Sequence, residues 1–370
     1  MDIAFLDVTA TVSYGGIQTA IWELATALHD QGHRITVYGG AGPVEPDLGG
    51  RDIRICRFPF TPRQRFPNLG TRFKKLAERW SFSRQARATV GQANHDWVVL
   101  TKPLDFFWPK LMPAASTTRF AFMSGGTDYF PGDRYFARDI SAWLACSHFN
   151  GWQISSHYKT YPKVMYNGVG VEKFHPDRRD LALRQQLGVA DGETLFAFAG
   201  RLAGWKGLSV AIRALADAQM AKHAAKLLII GQGDALPGLR QLADSLGVAS
   251  RVIFQAPIPH AQLPRWYASA DGGIFPSLGD EAFGITIAEA MACGLPPIAS
   301  YNGGIPEVVG NEGSAGVLCG LGDVSAFAAA MAAFCADPVK RQALGRAARE
   351  RIVAHFTWTM AAERMLAALQ

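Results

Sequence analysis

The sequence predicts an α/β protein of two doubly wound halves, each a parallel sheet covered by helices. Two observations carry this. Short apolar runs of strand type alternate with Gly-rich turns and with segments whose apolar residues recur at helical spacing. The same alternation then restarts near residue 194. A length of 370 residues suits two units, since a domain takes roughly 100–200 residues.

The first run, Asp2–Thr9, reads as a strand, and 10–16 (ATVSYGG) as its loop. Ile17, Ile21, Leu24 and Leu28 predict a helix from about 17 to 30, stopped by Gly32. Arg34–Tyr38, Trp97–Thr101 and Phe120–Ser124 are the next strands. In the second half the strands are 194–200, 227–233, 252–255, 272–277 and 295–300, with helices over Ala282–Ala292 and Val324–Ala336. The change of unit falls in 166–177. The expected units are 1–168 and 169–354, with a C-terminal helix over 355–370 packing back on the first. Ligands of open parallel sheets sit at the carboxyl ends of the strands, so two such halves facing each other would share one cleft. Dehydrogenases, kinases, epimerases and glycosyltransferases all fit that description.

Composition removes other classes. Apolar residues make up 49% and charged residues 18%, the reverse of a disordered chain. No run approaches the roughly 20 apolar residues of a membrane span. The N-terminal MDIAFLDVTA lacks the basic start and long apolar run of a signal peptide. Cys56, Cys146, Cys293, Cys319 and Cys335 are scattered without a CxxC, so neither a zinc site nor a disulfide framework is expected, and a reducing cytoplasm is the default. The net charge of +6 favours anionic partners.

Three stretches carry chemistry. In 276–300 (PSLGDEAFGITIAEAMACGLPPIAS), Glu281 precedes a predicted helix and Glu289 lies inside it, flanked by Ala288, Ala290 and Met291. A carboxylate in apolar surroundings needs hydrogen-bond donors, and sugar hydroxyls supply them. The competing reading is a helix-start charge at Glu281 and a partly solvated Glu289. In 200–207 (GRLAGWKG), Arg201 and Lys206 sit in a turn entering a helix, a place suited to a diphosphate; solvated loop cations are the alternative. In 13–20 (SYGGIQTA), Gly15 and Gly16 free the backbone to approach a ligand, or form a plain strand-to-helix turn. GQGD at 231–234 is not the dinucleotide fingerprint GxGxxG, and GxxxxGK[ST] is absent.

Taken in order, these pieces resemble the retaining glycosyltransferases of family 4, which have the GT-B fold of two Rossmann-like domains facing across a cleft. The resemblance spans nearly the whole chain. It rests on Glu281-x7-Glu289 with AMACGLPPIAS behind it, GRL…KG at 200–207, the first-turn GG, YNGV at 166–169 and HFTW at 355–358. It implies an acceptor-binding first unit and a donor-binding second unit. Glu289 would hold the nucleotide ribose and Glu281 the donor sugar, with the backbone of Phe283, Gly284 and Ile285 beside sugar and phosphates. Arg201 and Lys206 would neutralise the leaving diphosphate, and Gly15 and Gly16 would let the first turn approach it. The resemblance implies no metal or other cofactor, and no D-x-D occurs in the chain. The expected carrier is UDP, with GDP second. One departure stands out. Where the family carries a histidine after a first-half strand, this chain has FAFMSGGTDYF, with Gly125 or Ser124 at that place. Asp128 is then the nearest ionisable candidate for the acceptor, alongside Gly125 and Asn167, with a turn aspartate as its other reading.

Residues 51–90 are rich in Arg and Lys interleaved with Phe58, Phe60, Phe66, Phe73, Trp80 and Phe82. Phe73, Leu76, Ala77 and Trp80 would share a helical face, which suits an anionic membrane surface or, alternatively, a core. No nucleic-acid module surrounds them, so no nucleic-acid partner is expected. His148, His157 and His175 have no ligand spacing and read as structural. The sequence thus points to a cytoplasmic enzyme, peripheral on the inner face of the plasma membrane. It would transfer a hexosyl group from a nucleotide sugar to a glycan or lipid-linked acceptor in cell-surface polysaccharide assembly. A UDP-sugar epimerase of the same architecture and a non-catalytic nucleotide-sugar binder are the rivals.

Overall fold

The computed structural model describes residues 1–13, 15–126 and 128–370. The chain forms two compact units, Met1–Gly168 with Trp358–Gln370, and Val169–Thr357. In the first unit β1 (Asp2–Leu6), β2 (Arg34–Gly40), β3 (Arg54–Phe58), β4 (Trp97–Leu100), β5 (Arg119–Ser124), β6 (Ala142–Ala145) and β7 (Lys163–Val164) make one sheet of order β3-β2-β1-β4-β5-β6-β7. Every pairing is parallel. Side chains alternate between faces along a strand, and the two faces build separate cores. Ile3, Phe5, Val37, Val99 and Met123 join Ile21 and Leu24 of the helix Gly16–Asp30. Ala4, Leu6, Tyr38, Val98 and Phe122 join Phe82, Ala86 and Val90 of the helix Thr71–Ala93.

That second helix overturns the core reading of Phe73 and Trp80. Its inward face runs through Arg79, Phe82, Ser83, Ala86 and Val90, whereas Phe73 and Trp80 stand 41% and 48% exposed. The shift has a cause: Arg79 is drawn inward by two buried carboxylates, Asp7 and Asp105. The basic stretch before the helix also hides β3, an edge strand. Arg54 and Arg57 on it suit an edge, where charge discourages pairing with other chains.

In the second unit β8 (Thr194–Ala199), β9 (Ala225–Ile230), β10 (Val252–Gln255), β11 (Gly272–Phe275), β12 (Pro297–Ser300) and β13 (Val317–Cys319) form a parallel sheet of order β10-β9-β8-β11-β12-β13. β8 is buried along its whole length, the pattern of a strand covered on both sides. The three-residue β13 escapes sequence reading because it follows a Gly- and Ser-rich loop. The helix Trp358–Leu369 returns to the first unit. Trp358, Ala361, Ala362, Met365 and Leu369 enter the core shared with the helix Gly16–Asp30. Arg364 donates to the Met165 carbonyl (3.4 Å) and stacks on Tyr166. His355–Thr357 stay with the second unit. Met365 is fully buried; Met365→Ala is expected to cost the first unit about 2–5 kcal/mol, read as a lower denaturant midpoint.

Candidate functional site

The second unit gathers its polar side chains in the loops after its strands. After β8, Arg201 is exposed and has no carboxylate partner among the described residues. Lys206, on the turn Gly204–Lys206, lies over the Trp205 ring (4.3 Å) and forms an ion pair with Glu281, which also accepts from Ser277 Oγ at 3.4 Å. The loop carrying Glu281 is clamped through its backbone. Leu278 N and Gly279 N both donate to the Trp205 carbonyl (2.7 and 3.0 Å), and Asn302 Nδ2 donates to the Gly279 carbonyl (2.7 Å). A Cβ on Gly207 would come within 1.8 Å of the Pro276 carbonyl oxygen, and one on Gly303 within 2.2 Å of the Glu281 carbonyl oxygen. Both glycines also have positive φ, so only glycine meets both demands.

The helix Ile285–Ala292 follows. Gly284 precedes it at φ 93°, and Phe283 is buried against Phe356. The backbone N–H groups at this helix start have no acceptor within the helix. Glu289 is 3% exposed, and its Oε1 meets His260 Nε2 at 2.6 Å. Its charge leaves a mark on its surroundings. Burial first, and Glu289 second, push the Tyr267 hydroxyl and the Cys293 thiol well above their ordinary ranges. The expected residues Arg201, Lys206, Glu281, Phe283, Gly284, Ile285 and Glu289 thus all lie in the second unit. Two of them, Lys206 and Glu281, are paired with each other. His260 is the side chain that sequence reasoning missed. Its signal was its place in the loop after β10, where ligands of such sheets sit.

In the first unit Gly15 precedes the helix and Gly16 opens it; a Cβ on Gly15 would meet Gln18 Oε1 at 2.7 Å. Asp7 follows β1 directly and is fully buried. Its Oδ1 accepts from Thr9 N (2.7 Å) and Thr9 Oγ1 (2.6 Å), and its Oδ2 accepts from Thr101 Oγ1. Burial opposes its charge, yet Arg79 and these hydroxyls hold its carboxyl below the usual range. Arg79 also pairs with Asp105, whose carboxyl burial raises to about 7 against the pull of Arg79. After β5, a Cβ on Gly125 would reach Ile17 Cδ1 at 2.8 Å, and Ser124 Oγ bonds the backbone of Gly126. Asp128 is paired through both oxygens with Lys75 Nζ (2.8 and 3.2 Å), so it is an engaged carboxylate. Asn167 is buried beyond β7, two strands from β5, so roughly 10 Å of sheet separates it from Gly125. Tyr14 and Thr127, within the motifs 13–20 and 120–130, lie outside the described residues.

His148 meets Tyr161, His157 meets Asp133, and His175 meets Asp177. Among the described residues no three His, Cys, Asp or Glu side chains are grouped to hold a metal ion. Removing one partner of a buried ion pair strands the other. Arg79→Met is therefore expected to cost about 3–5 kcal/mol in denaturant unfolding. Adding Asp105→Asn should recover part of that loss.

Two family descriptions match the chain in succession. Residues 14–173 match "Glycosyltransferase Family 4", and residues 180–351 match "Glycosyl transferases group 1". A GDP-mannose-dependent alpha-(1-6)-phosphatidylinositol monomannoside mannosyltransferase of Mycolicibacterium smegmatis is 28% identical over 375 residues, covering 95% of this chain and 94% of that protein. A D-inositol 3-phosphate glycosyltransferase of Segniliparus rotundus is 32% identical over 246 residues, covering 64% of this chain and 53% of that protein. Among solved structures, sucrose-phosphate synthase from Thermosynechococcus elongatus aligns with a TM-score of 0.81 at 21% identity, over 99% of this chain and 97% of that one. Anabaena HepE in complex with UDP and glucose aligns with a TM-score of 0.77 at 23% identity, over 100% and 99%. At these identities the two structures speak for the fold.

Proposed function

The chain belongs to glycosyltransferase family 4 and has the GT-B fold, and on that premise we propose that it moves a hexose, with retention, from a GDP-sugar to a lipid-linked or glycan hydroxyl. That it is a glycosyltransferase using a nucleotide-sugar donor follows from the family. GDP stands ahead of UDP because a relative matched over nearly its full length, that of Mycolicibacterium smegmatis, is named GDP-mannose-dependent. This reverses the order expected from sequence alone. The relatives' names, which include a phosphatidylinositol mannoside and an inositol phosphate, support an acceptor of the same kind.

The observation that carries the donor site is the buried Glu289 on the helix Ile285–Ala292, whose preceding loop holds Glu281 in an ion pair with Lys206 of the turn that also carries Arg201. Ribose hydroxyls donate to the Glu289 carboxylate, which now faces His260. The diphosphate lies on Arg201 and on Lys206, whose ammonium turns from Glu281 toward the phosphate. Glu281 then accepts from a hydroxyl of the sugar. The bond from the anomeric carbon to the phosphate oxygen breaks, and one from that carbon to the acceptor oxygen forms on the same face. The acceptor proton passes to the departing phosphate. The cations stabilise charge that grows on the leaving group, the largest usual contribution to such a step. No metal is needed in this scheme.

Thermal melting of the purified protein in EDTA tests the donor. GDP at about 100 times its Kd should add about 2.7 kcal/mol, a shift of a few degrees, and Glu289→Ala should abolish it. A shift from UDP alone would restore the UDP order. No shift from any nucleotide would sink the donor site.

No helix among the described residues is long and apolar enough to cross a membrane. A peripheral contact, on the inner face of the plasma membrane, fits the outer side of the helix Thr71–Ala93. Phe73 and Trp80, seven residues apart, are exposed with Leu69 nearby and Arg72 and Lys74 beside them. Apolar side chains amid cations suit an anionic bilayer. The double change Phe73→Ser, Trp80→Ser should weaken cosedimentation with anionic vesicles about tenfold or more and leave the GDP shift unaltered. Equal cosedimentation would remove the membrane contact.

A further inference from the structure

The amino edge of the second sheet carries a cleft of about 820 Å³, bordered by the helix Pro338–His355 and by the segments that enter β11 and β12. Asp271 directly precedes β11, and Pro296 directly precedes β12. The donor loop 276–284 leaves the opposite end of β11. The four residues of that strand, about 13 Å of sheet, therefore lie between the two places. Arg179, Arg341, Arg346 and Arg349 line the cleft, with Asp271 and Glu350 as its acids.

The charges there do not balance. Asp271 Oδ2 accepts from Arg184 Nη1 (2.8 Å) and Leu195 N (2.9 Å). Its Oδ1 accepts from Arg179 Nη2 at 3.3 Å and faces Arg341 Nη2 at 4.0 Å. One carboxylate thus serves three guanidinium groups. Arg349 donates to the carbonyl oxygens of Val171, Phe174 and Ala292, which fill its N–H groups without cancelling its charge. Arg346 is exposed and makes no hydrogen bond or ion pair among the described residues. Glu350, also exposed, is the second acid of the lining. The acids next outward have cations of their own. Asp180 pairs with Arg265, Glu193 lies 3.7 Å from Lys226, and Asp177 faces His175 and precedes Arg178. Asp337 caps the helix start at Lys340 N. Five guanidinium groups against two carboxylates leave a surplus of three positive charges in and behind the cleft.

We propose that this cleft binds a small molecule bearing a diphosphate, at a site separate from the donor site. Two linked phosphates match a surplus of this size better than a single carboxylate does. The planar fork of arginine suits phosphate oxygens, and Arg346 has its whole fork free. Pro176 and Val353 offer apolar surface to the rest of the ligand, and the volume lies within the usual range of small-molecule sites. The site is independent of the donor reading.

The test is calorimetric titration of the full chain with inorganic pyrophosphate, in EDTA with saturating GDP present to occupy the donor cations. Wild type should bind pyrophosphate beyond the GDP already bound, or take up a second equivalent of GDP in its place. Arg346→Gln should weaken that second event about tenfold or more. Because Arg346 has no partner, this variant should melt as wild type does. Lys340→Gln is the control, since Lys340 is an exposed cation on the same helix outside the cleft lining. It should change the binding less than about twofold at about 0.15 M salt, where distant exposed charges are screened. Absence of a second event in wild type overturns the proposal. So does equal binding by Arg346→Gln, or an equal loss in Lys340→Gln, which would reveal only the diffuse field of a basic helix. If GDP binds nowhere, the donor reading falls, and the dependence of pyrophosphate binding on Arg346 still decides this one.

Discussion

Backbone pressed against backbone is the constraint on which the donor loops depend. The turn at 200–207, the loop 276–284 and the turn at 302–304 meet through carbonyl oxygens that lie where the Cβ atoms of Gly207 and Gly303 would stand. Side chains are excluded from these contacts, so no side-chain rearrangement can loosen them. Lys206 and Glu281 are consequently delivered to one place by main chain alone. A reaction that relies on charge stabilisation benefits from this, because donors held before the substrate arrives need not be reorganised during the step.

The two units solve the problem of charge at a strand end differently. In the second unit Glu289 is buried with His260, a partner that is itself 45% exposed on its side chain. A carboxylate held by so accessible a group can trade it for a ligand's hydroxyls at modest cost. In the first unit Asp7 and Asp105 are locked by Arg79 and by hydroxyls deep in the core. Those acids are architectural. They turn the helix Thr71–Ala93 so that Arg79 points inward, and the same rotation leaves Phe73 and Trp80 outside.

The sheets were legible because a parallel strand buried on both faces is a continuous apolar run, and TLFAFA and LLII are such runs. Glu281, Glu289, Arg201 and Lys206 were legible because their spacing along the chain survives into the loops. Other features were hidden for physical reasons. β3 and β13 are edge strands, partly exposed, and carry too weak a pattern. The inward face of the helix Thr71–Ala93 includes Glu78 and Arg79, which no apolar periodicity reveals. His260 matters through its contact with Glu289, 29 positions away, and one-dimensional spacing carries no such information.

The replaced histidine has a physical counterpart in this arrangement. A histidine in place of Gly125 would have to displace Ile17, whose Cδ1 lies 2.8 Å from a Cβ built at that position. The helix Gly16–Asp30 thus packs into space that a side chain would otherwise hold. On the resemblance, the end of β5 then carries no titratable group at Gly125 or Ser124. In the proposed scheme the leaving phosphate accepts the acceptor's proton, and a group that removes the proton in this way makes an imidazole base unnecessary.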